Sequence, residues 1–99
     1  IFQPHLYSRT RDFADGFAET LALADRVMLL DIYPAREKPI EGISSRMIIE
    51  KIQTTEKILV SKENVLELLK VLPKEIIVTI GAGDIDSLVE PIRKILSDK

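Results

Sequence analysis

A chain of 99 residues has room for one domain, residues 1–99, built around one modest core. Its net charge of −2 argues against a nucleic-acid module, which carries a basic excess. The absence of cysteine and the single histidine exclude a disulfide framework, thiolate chemistry and a multi-histidine zinc site. The longest apolar runs, Val27 to Leu30 and Ile76 to Ile80, fall far short of the ~20 residues that span a bilayer.

In chain order, Ile1 and Phe2 read as the last residues of a strand that begins upstream, so the chain reads as cut from something longer. From about Thr10 to Ala24, Phe13, Phe17, Leu21 and Ala24 line up as one apolar helical stripe. Arg26 to Ile32 is a continuous apolar run of strand type, and Ile58 to Val60 is a shorter, weaker one. Between them Ser44 stands as an N-cap, with Ile43 and Ile48 as a hydrophobic staple, for a helix reaching about Gln53. Ser61 caps the next helix, with Glu63 in its first turn, where the dipole favours an acid. Val65, Leu68, Leu69 and Leu72 form its inner face, and Pro73 closes it. Glu75 to Ile80, β-branched almost throughout, is the strongest strand signal. Asp84 to Leu96 is helical by its apolar spacing, with Pro91 marking a kink or a restart.

Short strands alternating with helices, apolar on both faces, predict an α/β fold. The expectation is a three-layer, mostly parallel, Rossmann-like sheet with helices on both faces, N-terminally truncated. In such a sheet ligands gather where strands end and helices begin. Three segments meet that description: Gln3 to Asp12, Tyr33 to Gly42, and Gly81 to Asp84.

In the first segment, Arg9 and Arg11 stand at or just before a helix N-terminus, where a cation is disfavoured. Either an anionic ligand accounts for them, or they face solvent and pair with Asp12 and Asp15. Asp12 compensates the helix dipole. His5 is either a hydrogen-bonding group beside a ligand or an ordinary loop histidine after Pro4. The Tyr33–Gly42 connection, ten residues long, exceeds the usual two to about six and is stiffened by Pro34 and Pro39, as a shaped substrate loop is. Lys38 and Glu41 read as solvated charge; Arg36 and Glu37 stay open. Gly81-Ala82-Gly83-Asp84 fails the dinucleotide fingerprint, because its third glycine would fall at Asp86. It reads as a tight strand-to-helix turn capped by Asp84 or Asp86. No Gly-Lys-Ser/Thr occurs anywhere, so the chain holds no phosphate-binding loop of that type.

These segments carry a resemblance. Phe2-Gln3-Pro4-His5-Leu6-Tyr7-Ser8-Arg9-Thr10-Arg11-Asp12, then Leu30-Asp31-Ile32-Tyr33-Pro34-Ala35-Arg36-Glu37 and Pro39-Ile40-Glu41-Gly42, then Thr79-Ile80-Gly81-Ala82-Gly83-Asp84-Ile85 together resemble the C-terminal domain of the UDP-N-acetylmuramate–L-alanine ligases of the Mur ligase family. The match runs in order over nearly the whole chain, and the first motif is its most specific part. The resemblance implies a three-domain, cytoplasmic bacterial enzyme of peptidoglycan synthesis. Such enzymes use ATP and Mg²⁺ to activate the lactyl carboxylate of UDP-N-acetylmuramate as an acyl phosphate, which the amino group of L-alanine attacks. By the same resemblance the N-terminal and central domains hold the sugar nucleotide and the phosphate-binding loop. This domain, lacking its first strand and helix, supplies the amino-acid side and closes over ATP.

Carried over position by position, His5 and Arg9 face the incoming alanine, with Arg9 on its carboxylate; Tyr7 and Arg11 complete the substrate-binding set. Many members carry Arg where this chain has Leu6, which removes one cationic contact. The resemblance implies no metal ligand, no tightly held cofactor and no catalytic group within these residues, and neither nucleic acid nor membrane as a partner. Two other classes are compatible with the residues. One is a sibling ligase adding a different group; the other is a non-enzymatic α/β binding module of receiver-like topology, in which Asp31 would be the strand-end acid.

Overall fold

The computed structural model describes residues 1–53, 56–72, 76–81 and 83–97. Helix α1 spans Tyr7–Leu21, strand β1 Val27–Leu29, helix α2 Arg46–Ile49, strand β2 Lys57–Leu59 and helix α3 Lys62–Val71; a 3₁₀ turn, Asp84–Leu88, leads into helix α4, Val89–Ser97. The strands pair in parallel, Val27 opposite Lys57 and Leu29 opposite Leu59. Two extended segments widen this ladder. The Phe2 N–H donates to the Met28 carbonyl, and the Leu30 N–H to that of Phe2. On the other flank the Gln3 N–H donates to Ile80 O, and the Ile80 N–H to Ile1 O. Laterally the order is therefore 57–59, 27–29, 1–3, 78–80, all parallel. Chain order thus reverses between the first and the last segment, which makes a switch point of the doubly wound kind.

Because side chains alternate along a strand, β1 feeds two cores. Val27 and Leu29 pack with Phe2, Ala14, Ala18 and Ile48 beneath α1 and α2. Met28 and Leu30 pack with Val65, Leu69, Ile85 and Ile92 beneath α3, the 3₁₀ turn and α4. Helices therefore lie on both faces of the sheet, giving the three layers that the apolar runs predict.

Several elements differ from expectation. Helix α1 starts at Tyr7, three residues before Thr10, and its buried line is Thr10, Ala14 and Ala18. Phe13, expected in the stripe, is 59 % exposed and breaks the helical path with φ −120° and ψ 15°. Asp12 consequently lies beyond the first turn and has no dipole to compensate there. Helix α2 is one turn, not a run to Gln53, and its N-cap position is Ser45 rather than Ser44. The Ser45 hydroxyl is buried and donates to Leu30 O at 2.5 Å, pinning α2 to β1. Ser44 Oγ accepts from the Arg46 N–H at 3.3 Å.

Ser61 does cap α3, accepting from the Asn64 N–H at 3.2 Å. Pro91 lies in the first turn of α4, where a missing N–H leaves no bond unmade, so the helix restarts there. Glu75 lies outside the described residues, as does Pro73. Among the described residues of the Glu75–Ile80 run, 76–80, only Ile80 forms a ladder pair, with Phe2. Ile77 packs on the core, but Ile76, Val78 and Ile80 are 90, 57 and 50 % exposed. Among the described residues no helix covers the sheet on that side, so residues 76–80 form an open edge and not a strand buried on both faces.

Candidate functional site

The carboxyl ends of the parallel segments bring all three predicted segments to one rim. Residues 4–6 continue the ladder: Tyr33 N–H donates to Pro4 O at 2.8 Å and Leu6 N–H to Tyr33 O at 2.9 Å. His5 is half-buried, with its imidazole stacked on the Tyr33 ring at 5.8 Å and an interplanar angle of 16°. Leu6 then turns the chain with φ 68°, a conformation that costs a branched residue about 1–3 kcal/mol. Its carbonyl accepts both the Thr10 N–H and the buried Thr10 Oγ1–H, so the turn is tied down from within α1.

The first turn of α1 carries Tyr7, Ser8 and Arg9 and no acid. The compensating charge comes from the long loop. Glu37 accepts from the Ser8 N–H at 2.9 Å and from the Ser8 hydroxyl at 2.6 Å. These bonds, with a further one from the Tyr7 amide, hold its carboxyl below the usual glutamate value. The resulting arrangement caps the helix as a local Asp or Glu would.

The two arginines part company here. Arg11 is engaged by Asp12 at 2.9 Å, and that hydrogen bond raises the arginine pKa and lowers the aspartate's. Arg9 is exposed and forms no ion pair among the described residues. Asp15, the other candidate partner, is taken by Lys51 at 2.9 Å.

A network that the sequence does not announce joins the rim across the switch point. Gln3 is buried; its Nε2 donates to Asp84 Oδ1 at 2.6 Å while its Oε1 accepts from the Ile85 N–H at 3.0 Å. Lys62, at the start of α3, reaches Asp84 Oδ2 at 2.6 Å. The Lys62 bond, then the Gln3 bond, holds the Asp84 carboxyl below its ordinary value. Neither Asp84 nor Asp86 occupies the cap position of the 3₁₀ turn, which is Gly83. Gln3, Tyr33, Lys62 and Asp84 line a depression of about 390 Å³ at this rim; His5, Tyr7, Arg9 and Arg11 lie outside its lining. Both glycines of the turn serve close packing. A Cβ on Gly81 would fall 3.2 Å from Gln3 O, and one on Gly83 would enter the Tyr33 side chain.

No family model matches the chain. Individual proteins do. It is 54 % identical over 96 residues to a UDP-N-acetylmuramate–L-alanine ligase of Parabacteroides distasonis, covering 97 % of the chain and 21 % of the relative. A protein of the same name from Christiangramia forsetii is 55 % identical over 96 residues, with the same two coverages. One from Flavobacterium johnsoniae is 54 % identical over 98 residues, 99 % of the chain and 22 % of the relative. The chain belongs to the UDP-N-acetylmuramate–L-alanine ligase family. It spans about a fifth of the length of these relatives. Among the described residues no helix is long and apolar enough to cross a membrane, and no group of three or more His, Asp or Glu is placed to hold a metal ion.

Proposed function

We propose that this chain is the C-terminal, amino-acid-side domain of a cytoplasmic ligase that joins L-alanine to UDP-N-acetylmuramate in peptidoglycan synthesis. The relatives' names give the reaction; the observation that carries the site is Arg9. Its guanidinium stands exposed on the first turn of α1, one turn after His5, without an ion pair among the described residues. Glu37, the acid that the long loop brings to the same helical turn, is committed to Ser8. A guanidinium left open at the carboxyl rim of a parallel sheet suits the carboxylate of a small amino acid. His5 and Tyr7 precede it on the same segment, and Arg11, held by Asp12, adds positive charge two residues on. The amino group of the bound alanine is thereby left free to attack.

ATP supplies the phosphoryl group that activates the sugar nucleotide's carboxylate. The chain contains no Gly-Lys-Ser/Thr phosphate-binding loop for ATP and its Mg²⁺. We assign both to the N-terminal and central domains of the longer protein, over which this domain closes. The apolar side chains of Ile76, Val78 and Ile80 are the surface that a preceding strand and helix of the same domain would cover.

The test is ADP release by the full-length protein with UDP-N-acetylmuramate and ATP, with and without L-alanine. Release that requires alanine supports the reading; release that ignores alanine, or none at all, contradicts it.

A further inference from the structure

Among the described residues only two other than glycine adopt a left-handed backbone, Leu6 with φ 68° and Ala35 with φ 54°. They lie two residues before Ser8 and two residues before Glu37, the partners of a single double hydrogen bond. Strain of this kind persists where surrounding contacts over-determine it, and it collects at functional sites. Here the contacts are visible on both sides. The turn at Ala35 is closed by the Glu37 N–H donating to Pro34 O at 2.9 Å, which aims the carboxylate back at α1. The turn at Leu6 is closed by the Thr10 N–H and hydroxyl, and by the Leu6 N–H on Tyr33 O. Tyr33 grips one end of the 5–8 turn through the His5 ring, and Glu37 grips the other through Ser8.

We propose that Glu37 is a positioning residue: through Ser8 it holds the strained 5–8 turn, and so fixes where Arg9 presents its guanidinium to the amino-acid carboxylate. This rests on the reading of Arg9 given above. The role assigned to Glu37 needs no contact with the substrate: one of its oxygens accepts the Ser8 amide and the other the Ser8 hydroxyl. A second role follows from charge. An acid that accepts from the first helical amides keeps them from competing with Arg9 for the carboxylate.

The experiment compares Glu37→Ala, Glu37→Gln, Ser8→Ala and the Glu37→Ala/Ser8→Ala double variant in the full-length ligase. Initial rates are taken against each of the three substrates, and a melting curve accompanies each variant. The expected result is an alanine KM raised about 5- to 20-fold in Glu37→Ala, with kcat within about twofold and the KM values for ATP and UDP-N-acetylmuramate unchanged. Glu37→Gln, which keeps an acceptor, restores part of the loss, and it carries the test if Glu37→Ala does not fold. The double variant is no worse than Glu37→Ala, because one contact is being removed twice. An unchanged alanine KM in Glu37→Gln and Glu37→Ala, a loss shared equally by all three substrates, or fully additive losses in the double variant would overturn the proposal alone. A wild type whose ADP release ignores alanine would overturn the reading of Arg9, and the proposal with it.

Discussion

The side chain of Tyr33 lies against the backbone of Gly83 so closely that a Cβ on that glycine would stand 2.6 Å from the ring Cδ1 and 2.7 Å from the Tyr33 Cβ. The same ring stacks on His5. One aromatic side chain thus spaces the first site segment from the Gly81–Asp84 turn. The contact reaches atoms next to the Tyr33 backbone, which a rotamer change cannot move away.

Gly83→Ala therefore costs about 1–3 kcal/mol as an overpacking substitution. Tyr33→Ala in the same molecule removes the ring part of the clash and keeps only the Cβ contact, so the double variant recovers part of the loss and melts higher than the sum of the single losses implies. Calorimetry on the four proteins of that cycle checks it. Additive losses would mean that the ring is not what the new methyl group meets.

Gln3 makes a second bridge to the same turn, and its removal is a matter of unsatisfied groups. In Gln3→Leu the buried Ile85 N–H loses its acceptor, and Asp84 loses one donor. An orphaned buried amide costs about 1–3 kcal/mol, and a denaturant midpoint shifted by less than that range would show that water replaces the side chain.

The Asp84–Lys62 pair predicts a pH dependence of definite sign. The folded-state pKa of Asp84 is depressed below 3.8. Its contribution is therefore present above that value and lost as the pH falls through the depressed one. Both side chains are more than a third exposed, so solvent screening keeps the pair's contribution small. Asp84→Asn lowers the melting temperature at pH 7 and converges on the wild type in acid; a difference that persists unchanged to about pH 2 would exclude the ion pair as its cause.

The open edge gives a prediction about association. Alternating exposed Ile76, Val78 and Ile80 offer both an apolar strip and a sheet border. The 99-residue chain alone self-associates as its concentration rises, and Val78→Lys reduces this. Sedimentation velocity over a concentration series reads the difference, and a monomer at every concentration would contradict it.

How much of this was legible in the sequence divides along contact distance. The Ser61 cap, the restart at Pro91 and the run at Val27–Leu29 are local patterns, and each is read from neighbours within a turn or a strand. The start of α1 is not, because the acid that stabilises it is Glu37, 29 residues away; the first turn itself, Tyr7, Ser8 and Arg9, holds no acid and looks like loop. Spacing alone puts Phe13 in the apolar stripe, but the irregular backbone at that residue turns it to solvent. The Gln3–Asp84 bond joins residues 81 apart, and no periodicity encodes such a partner. The Glu75–Ile80 run signals a strand by its β-branching, but propensity does not say whether a helix covers both faces.

The measurement that bears most directly on the central claim is the alanine dependence of ADP release in full-length wild type and Arg9→Ala. Loss of a charged hydrogen bond to a bound carboxylate costs roughly 2–5 kcal/mol, and a tenfold change in affinity corresponds to about 1.4 kcal/mol. The account predicts alanine-dependent release in the wild type and an alanine KM raised by more than about tenfold in Arg9→Ala, with the KM for ATP unchanged. An unaltered alanine KM would contradict the assignment of Arg9, and release indifferent to alanine would contradict the function.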